Sequence, residues 1–127
     1  MIANETSLDS RRVLQEEPRL EPLLVLTTQG RSSGRLESEL LTYRREPDGS
    51  FIVLAINEGR YKPSWYLNLK AEPIVQVEVD GAVFSARAST AVGRDRLRLR
   101  QRFDAELLYP IDDVPRETAI VRLSPLC

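Results

Sequence analysis

The chain contains no histidine among its 127 residues. Catalytic triads and dyads built on an imidazole base are excluded, as is any histidine-ligated metal. Cysteine is nearly as scarce. The single one is Cys127, the last residue, so no intrachain disulfide can form and no cysteine cluster can hold zinc. Acid–base chemistry near neutral pH then falls to a perturbed carboxylate, a tyrosine or a cofactor's own protons. Lysine occurs only at Lys62 and Lys70, and every other basic residue is arginine. No apolar run approaches the roughly 20 residues that cross a bilayer. The N-terminal stretch MIANETSLDSRRVLQEEPR is polar and lacks the apolar segment of a secretion signal, which implies a cytoplasmic protein without membrane insertion. A net charge of −1 gives no overall attraction to nucleic acid. Any anion site must be local.

What is present is the composition of one ordinary domain, 42% hydrophobic and 29% charged. Residues 1–20 read as a charged arm or a short helix capped by Ser7, and residues 21–127 as the domain itself. PLLVLTT is a buried strand and ESELLTYR a second. EPDGS is a turn into FIVLAI, a third strand that is apolar throughout. Pro63 opens a helix on which Trp65 and Leu69 share a face, and Pro73 stops it. IVQVEVDG alternates strictly, with Val75, Val77 and Val79 inward, and Asp80-Gly81 turns tightly into AVFSARASTAV. A second helix runs from Arg94 to Leu108, its five arginines between Arg94 and Arg102 forming a solvated face. ETAIVRLSPL supplies a sixth strand. Short strands joined by turns, with two helices, make a mainly β (α+β) antiparallel barrel.

One connection is longer than a hairpin needs. Between the first two strands lies QGRSSGR, with two glycines, two serines and two arginines. A simple reversal takes two to five residues and has no need of arginine. Glycines let a backbone approach a ligand closely, and arginine offers forked hydrogen bonds to an oxyanion. The loop therefore reads either as an anion cradle or as a solvated connection.

Two blocks together carry a family resemblance. LTTQGRSSGR resembles the TTxGRKSG segment of the deazaflavin-dependent nitroreductase family, whose members use coenzyme F420. KPSWYLNLKAEPIVQVEV is similar to that family's helix-to-strand block, WYxNLKANPxVxV. Tyr109-Pro110 and AIVRLSP add weaker matches. The resemblance implies a six-stranded antiparallel split β-barrel of the FMN/F420-binding type. It also implies hydride transfer from reduced F420 to a small organic acceptor: a quinone, nitro compound, enone or specialised metabolite. The coenzyme brings the redox chemistry and the protein supplies binding and orientation, which suits a chain without histidine. Split-barrel relatives often pair, so a homodimer is also implied.

Carried over residue by residue, Gly30, Arg31, Ser33 and Gly34 match the phosphate loop, with Ser32 in place of a lysine and Arg35 following. Asn57 and Gly59 match the segment that approaches the deazaflavin ring, and Lys62 and Trp65 follow. The chain also departs from the family. Glu37 stands where an arginine is usual, reversing its charge, and Ile56 and Glu58 replace smaller residues beside the ring. The usual tyrosine-bearing segment is shortened to IDDVPRET. These changes leave other readings open. FMN, with its own phosphate and tricyclic ring, is an alternative cofactor. A cofactor-independent cyclase, epoxide-opening enzyme or isomerase would use Glu37, Glu58, Tyr43 and Tyr61 as acid and base, with Glu39 a further carboxylate near the cleft. A binding or carrier protein would use the cleft without chemistry. Trp65 fits a core role as well as a pocket wall.

Overall fold

The computed structural model describes residues 22–57, 59, 61–106 and 117–126. The arm at residues 1–20, Glu58 and Tyr109-Pro110 lie outside them.

Alternation makes the first strand. In β1 (Leu23–Gln29), Leu24, Leu26 and Thr28 are buried and the residues between them face outward. β2 (Leu36–Thr42) pairs with it antiparallel along the whole length, Leu23 opposite Thr42 and Gln29 opposite Leu36. Only Tyr43 separates β2 from the two-residue β3 (Arg44–Arg45), which pairs with β4 (Phe51–Ala55) instead. The turn at Glu46–Ser50 closes through the Glu46 N–H to the Ser50 carbonyl at 2.9 Å, with Gly49 in the left-handed region. Helix α1 (Ser64–Ala71) starts just after Pro63, which stands as its cap rather than as its first helical residue. β5 (Ile74–Val79) and β6 (Ala82–Thr90) are joined by Asp80 and Gly81, with φ of 52° and 82°. Two consecutive positive φ values give the hairpin turn whose twist matches the flanking strands. Helix α2 (Gly93–Glu106) and β7 (Ala119–Pro125) complete the described chain.

The strands form one antiparallel sheet in the order β2-β1-β5-β6-β7-β4-β3. It has seven strands where six were expected. The run from Glu37 to Arg44 is not one strand, because the chain changes partner at Tyr43. There the backbone N–H donates to the Pro22 carbonyl at 3.2 Å, and the ring packs edge-on against Phe51 at 5.2 Å. β2 and β3 are thus the two edges of the sheet and neighbours in the chain, so the sheet curls into a barrel. Beyond the junction, β2 pairs only with β1, and Val53–Ala55 of β4 pair only with β7. That gap is the split.

The inner face carries the main core. Leu24, Leu26, Phe51, Val53, Val77 and Val121 meet Trp65 and Leu69 of α1. Full burial of each aliphatic side chain contributes about 1.5–3 kcal/mol. A smaller cluster of Ile52, Ala91, Leu99 and Ile120 fixes α2 on the outer face.

The arginines of α2 are not simply a solvated face. Arg98 and Arg102 both donate to the Glu46 carboxylate, whose residue is only 5% exposed. Arg96 Nη1 donates to the Thr118 carbonyl at 2.8 Å. Arg122 of β7 grips both oxygens of Asp95 at 2.9 Å and donates to Ser50 Oγ at 2.8 Å. The Arg122 hydrogen bonds hold the Asp95 carboxyl below the usual carboxylate range, against a smaller opposing effect of burial. Asp48 is lowered chiefly by the Ser50 hydroxyl. No helix among the described residues is long and apolar enough to cross a membrane.

Candidate functional site

The loop Gly30–Arg35 is built on its own hydrogen bonds. The Gly30 N–H donates to the Arg35 carbonyl at 2.7 Å, and the Gly34 N–H to the Gly30 carbonyl at 2.8 Å. The Arg35 N–H donates to Ser33 Oγ at 3.0 Å. Gly34 has φ of +74°, a backbone only glycine adopts without strain. Gly30 is needed for a different reason. A Cβ there would lie 2.6 Å from both Glu37 Oε2 and Ser33 Oγ. Glu37 reaches this point from β2, opposite Thr28 in the register.

A residue that sequence reasoning passed over ties the loop to the barrel. Asn68, on α1 and only 1% exposed, uses every hydrogen-bonding position of its amide. Its Oδ1 accepts from the Arg31 N–H at 3.1 Å and from Arg31 Nη1 at 2.7 Å. Its Nδ2 donates to Thr28 Oγ1 at 3.1 Å and to Glu37 Oε1 at 2.9 Å. Arg31 Nη1 also donates to the Ser64 carbonyl and hydroxyl, each at 3.2 Å. The signal for Asn68 was a polar residue three positions after Trp65 and one before Leu69, on the face predicted to be buried. The cradle expected for an outside anion is therefore largely satisfied from within. The N–H groups of Gly30, Arg31, Gly34 and Arg35 all have acceptors in the chain. Ser32 and Arg35 are exposed on the rim of the loop.

A separate cavity of about 310 Å³ fills the split between β2 and β4. Glu39 and Leu41 form one wall, Leu54 and Ile56 the other, and Pro63 and Trp65 close the end at the start of α1. Trp65 is 7% exposed and sits edge-on to Tyr66 at 6.3 Å, so it packs in the core and lines the cavity together. Tyr66 is fixed by a 3.0 Å hydrogen bond between its hydroxyl and Thr90 Oγ1. Asn57, the residue after Ile56, has its Oδ1 buried without a hydrogen-bond partner among the described residues. A buried amide oxygen left unpaired costs about 1–3 kcal/mol, which makes it a natural acceptor for a ligand donor.

The loop and the cavity flank the same end of α1, Arg31 touching Ser64 and the cavity touching Pro63 and Trp65. Other candidates are scattered. Lys62 Nζ donates to the Glu117 carbonyl at 3.3 Å and lies 5.8 Å from the Tyr66 ring centre. Gly59, with φ of +66°, sits in the loop after Asn57. Tyr61 is 72% exposed, and Tyr43 packs on Phe51 against the core. Neither tyrosine is among the cavity-lining residues.

Comparison with known proteins agrees with this architecture. An F420H2-dependent quinone reductase of Mycobacterium tuberculosis is 32% identical over 84 residues, which are 66% of this chain and 56% of that protein. The chain thus spans a little over half the length of that relative. Among solved structures, an F420H2-dependent reductase superposes with a TM-score of 0.67 at 26% identity, covering 81% of this chain and 94% of that one. A haem storage protein of Vibrio cholerae, at 19% identity and a TM-score of 0.62 over 94% of this chain and 89% of its own, shares the fold. Residues 7–110 match the model of the family described as F420H(2)-dependent quinone reductase, and the chain belongs to that family.

Proposed function

We propose that the protein is a reductase that holds reduced F420 at the β2–β4 split and delivers hydride to a small organic acceptor, a quinone above all. The observation that carries this reading is the cavity between the unpaired edges, walled by Leu41, Leu54, Ile56 and Trp65. Its volume is at the small end of ligand pockets, suited to a flat ring rather than to a whole coenzyme. The ring end of the coenzyme fits this lining: apolar walls to sandwich a heterocycle, with Asn57 Oδ1, one residue beyond the Ile56 wall, as a candidate acceptor for a ring N–H. When bound, F420H2 supplies the hydride. The chain's part is to orient the ring, exclude water with Trp65 and the leucines, and leave the open side of the split to the acceptor.

The test is a fluorescence titration with oxidised F420, followed by turnover of F420H2 with a soluble naphthoquinone. Native protein should bind and turn over. Trp65→Ala should weaken coenzyme binding by up to about tenfold, since a stacking aromatic contact is worth roughly 0.5–1.5 kcal/mol. Saturable binding of FMN instead, with none of F420, would move the assignment to the flavin. One observation favours a second reading. Glu39 places a carboxylate in the cavity wall, where it could serve a cofactor-independent isomerase or cyclase as base. That reading requires conversion of a substrate with no coenzyme present, and loss of that conversion in Glu39→Gln.

A further inference from the structure

Glu37 lies in an unusual place for a carboxylate. β2 is an edge strand, and its inward row runs Glu37, Glu39, Leu41, opposite the buried Thr28, Leu26 and Leu24. Glu37 spans the mouth of the loop. Its Oε2 and Ser33 Oγ each lie 2.6 Å from where a Gly30 Cβ would be, and its Oε1 takes a hydrogen bond from buried Asn68 Nδ2. Arg31 docks on the other side of the same amide, at Asn68 Oδ1. A side-chain-free glycine and a buried amide donor are among the groups an oxyanion site is made from. Here the oxyanion they meet belongs to the chain.

We infer that Glu37 is a resident anion, occupying the seat that the Gly30–Arg35 loop would otherwise give to a ligand's phosphate. The inference rests on the reading of the protein as an F420-binding reductase, but it concerns the loop alone. The carboxylate is not locked in. Glu37 is an exposed residue, and among the described residues its side chain is held by the 2.9 Å hydrogen bond from Asn68. A phosphate ester therefore enters only by pushing Glu37 aside, against its charge. Two like charges at contact distance near a surface repel, and the repulsion weakens binding. Glu37 thus sets how weakly, and for which tails, the loop binds. Ligands whose anionic group is small or absent are favoured over those that depend on a phosphate anchor.

Glu37→Gln keeps the shape and an acceptor for Asn68 while removing the charge. Glu37→Ala empties the seat. Each variant and the native protein are titrated with inorganic phosphate by calorimetry and with oxidised F420 by fluorescence, and thermal melts confirm folding. The expected result is that both variants bind phosphate at least about tenfold more tightly than native protein. F420 affinity should rise in parallel. Unchanged or weaker phosphate binding in folded Glu37→Gln and Glu37→Ala overturns the inference, whatever F420 does. Tighter phosphate binding with no F420 binding in any of the three proteins upholds the resident anion and removes the F420 reading. F420 binding that is equal in all three, with phosphate binding unchanged, does the reverse.

Discussion

Single residues decide how the loop is held. Asn68 satisfies a backbone N–H, a guanidinium, a threonine hydroxyl and a carboxylate with one amide. Replacing it by leucine keeps the volume and leaves Thr28, which is 1% exposed, without that donor, and Arg31 without its main acceptor. Unmet buried groups cost about 1–3 kcal/mol each. Asn68→Leu should lower unfolding free energy by roughly 2–4 kcal/mol in urea melts. Asn68→Asp, which keeps an acceptor for Arg31 but sets a second charge against Glu37, should fall between. Legibility at this scale was uneven. Gly34 and Asp80-Gly81 could be read because positive φ leaves a mark on residue type. Asn68 could not be assigned a task, because its partners come from two strands and a loop more than thirty positions away.

At the scale of elements, alternation and helical spacing carried most of the information. Val75, Val77 and Val79 are buried with exposed residues between them, and Trp65 and Leu69 share the buried face of α1. The arginines of α2 misled because polarity alone suggests solvent. The acceptor of Arg98 and Arg102, Glu46, is over fifty residues upstream. This clamp ties α2 to the turn after β3, and removing its centre costs Arg98 and Arg102 their shared carboxylate acceptor. Glu46→Ala should cost about 1–3 kcal/mol and lower the melting temperature accordingly. The clamp's neighbours also give a pH signature. Asp95 and Asp48 both have folded-state pKa values below their ordinary ones, so their stabilisation is present above the ordinary carboxylate pKa. It is lost as pH falls through the lowered values, which places the loss below about pH 4. Acid unfolding followed by circular dichroism should show this, and Asp95→Asn should flatten the profile in that range. An unchanged profile would mean the Arg122 grip contributes nothing in solution.

For the whole molecule, an antiparallel barrel with two helices was legible, and so was its family. What stayed hidden was closure. ESELLTYR contains no glycine, proline or turn cluster, so no local pattern announces that the chain leaves one edge of the sheet and joins the other at Tyr43. Its ring holds that corner by packing on Phe51. Tyr43→Phe should then retain turnover within about twofold, while Tyr43→Ala should lose roughly 2–4 kcal/mol of stability and widen the split. A large drop in turnover for Tyr43→Phe at unchanged stability would assign the hydroxyl to chemistry instead. The cavity was hidden for the same reason. Leu41 and Leu54 become its walls only because two strands fail to meet.

That failure to meet has a consequence for recognition. Along the split, the amide and carbonyl groups of β2 and of Val53–Ala55 have no strand opposite them. A flat heterocycle whose rim alternates N–H and C=O could slot between them as a short surrogate strand, read by peptide groups that every amino acid supplies. Specificity written in the main chain survives substitution of the side chains around it. Relatives with quite different pocket residues could then grasp the same ring, and the lettering of the polypeptide would carry little trace of the grip.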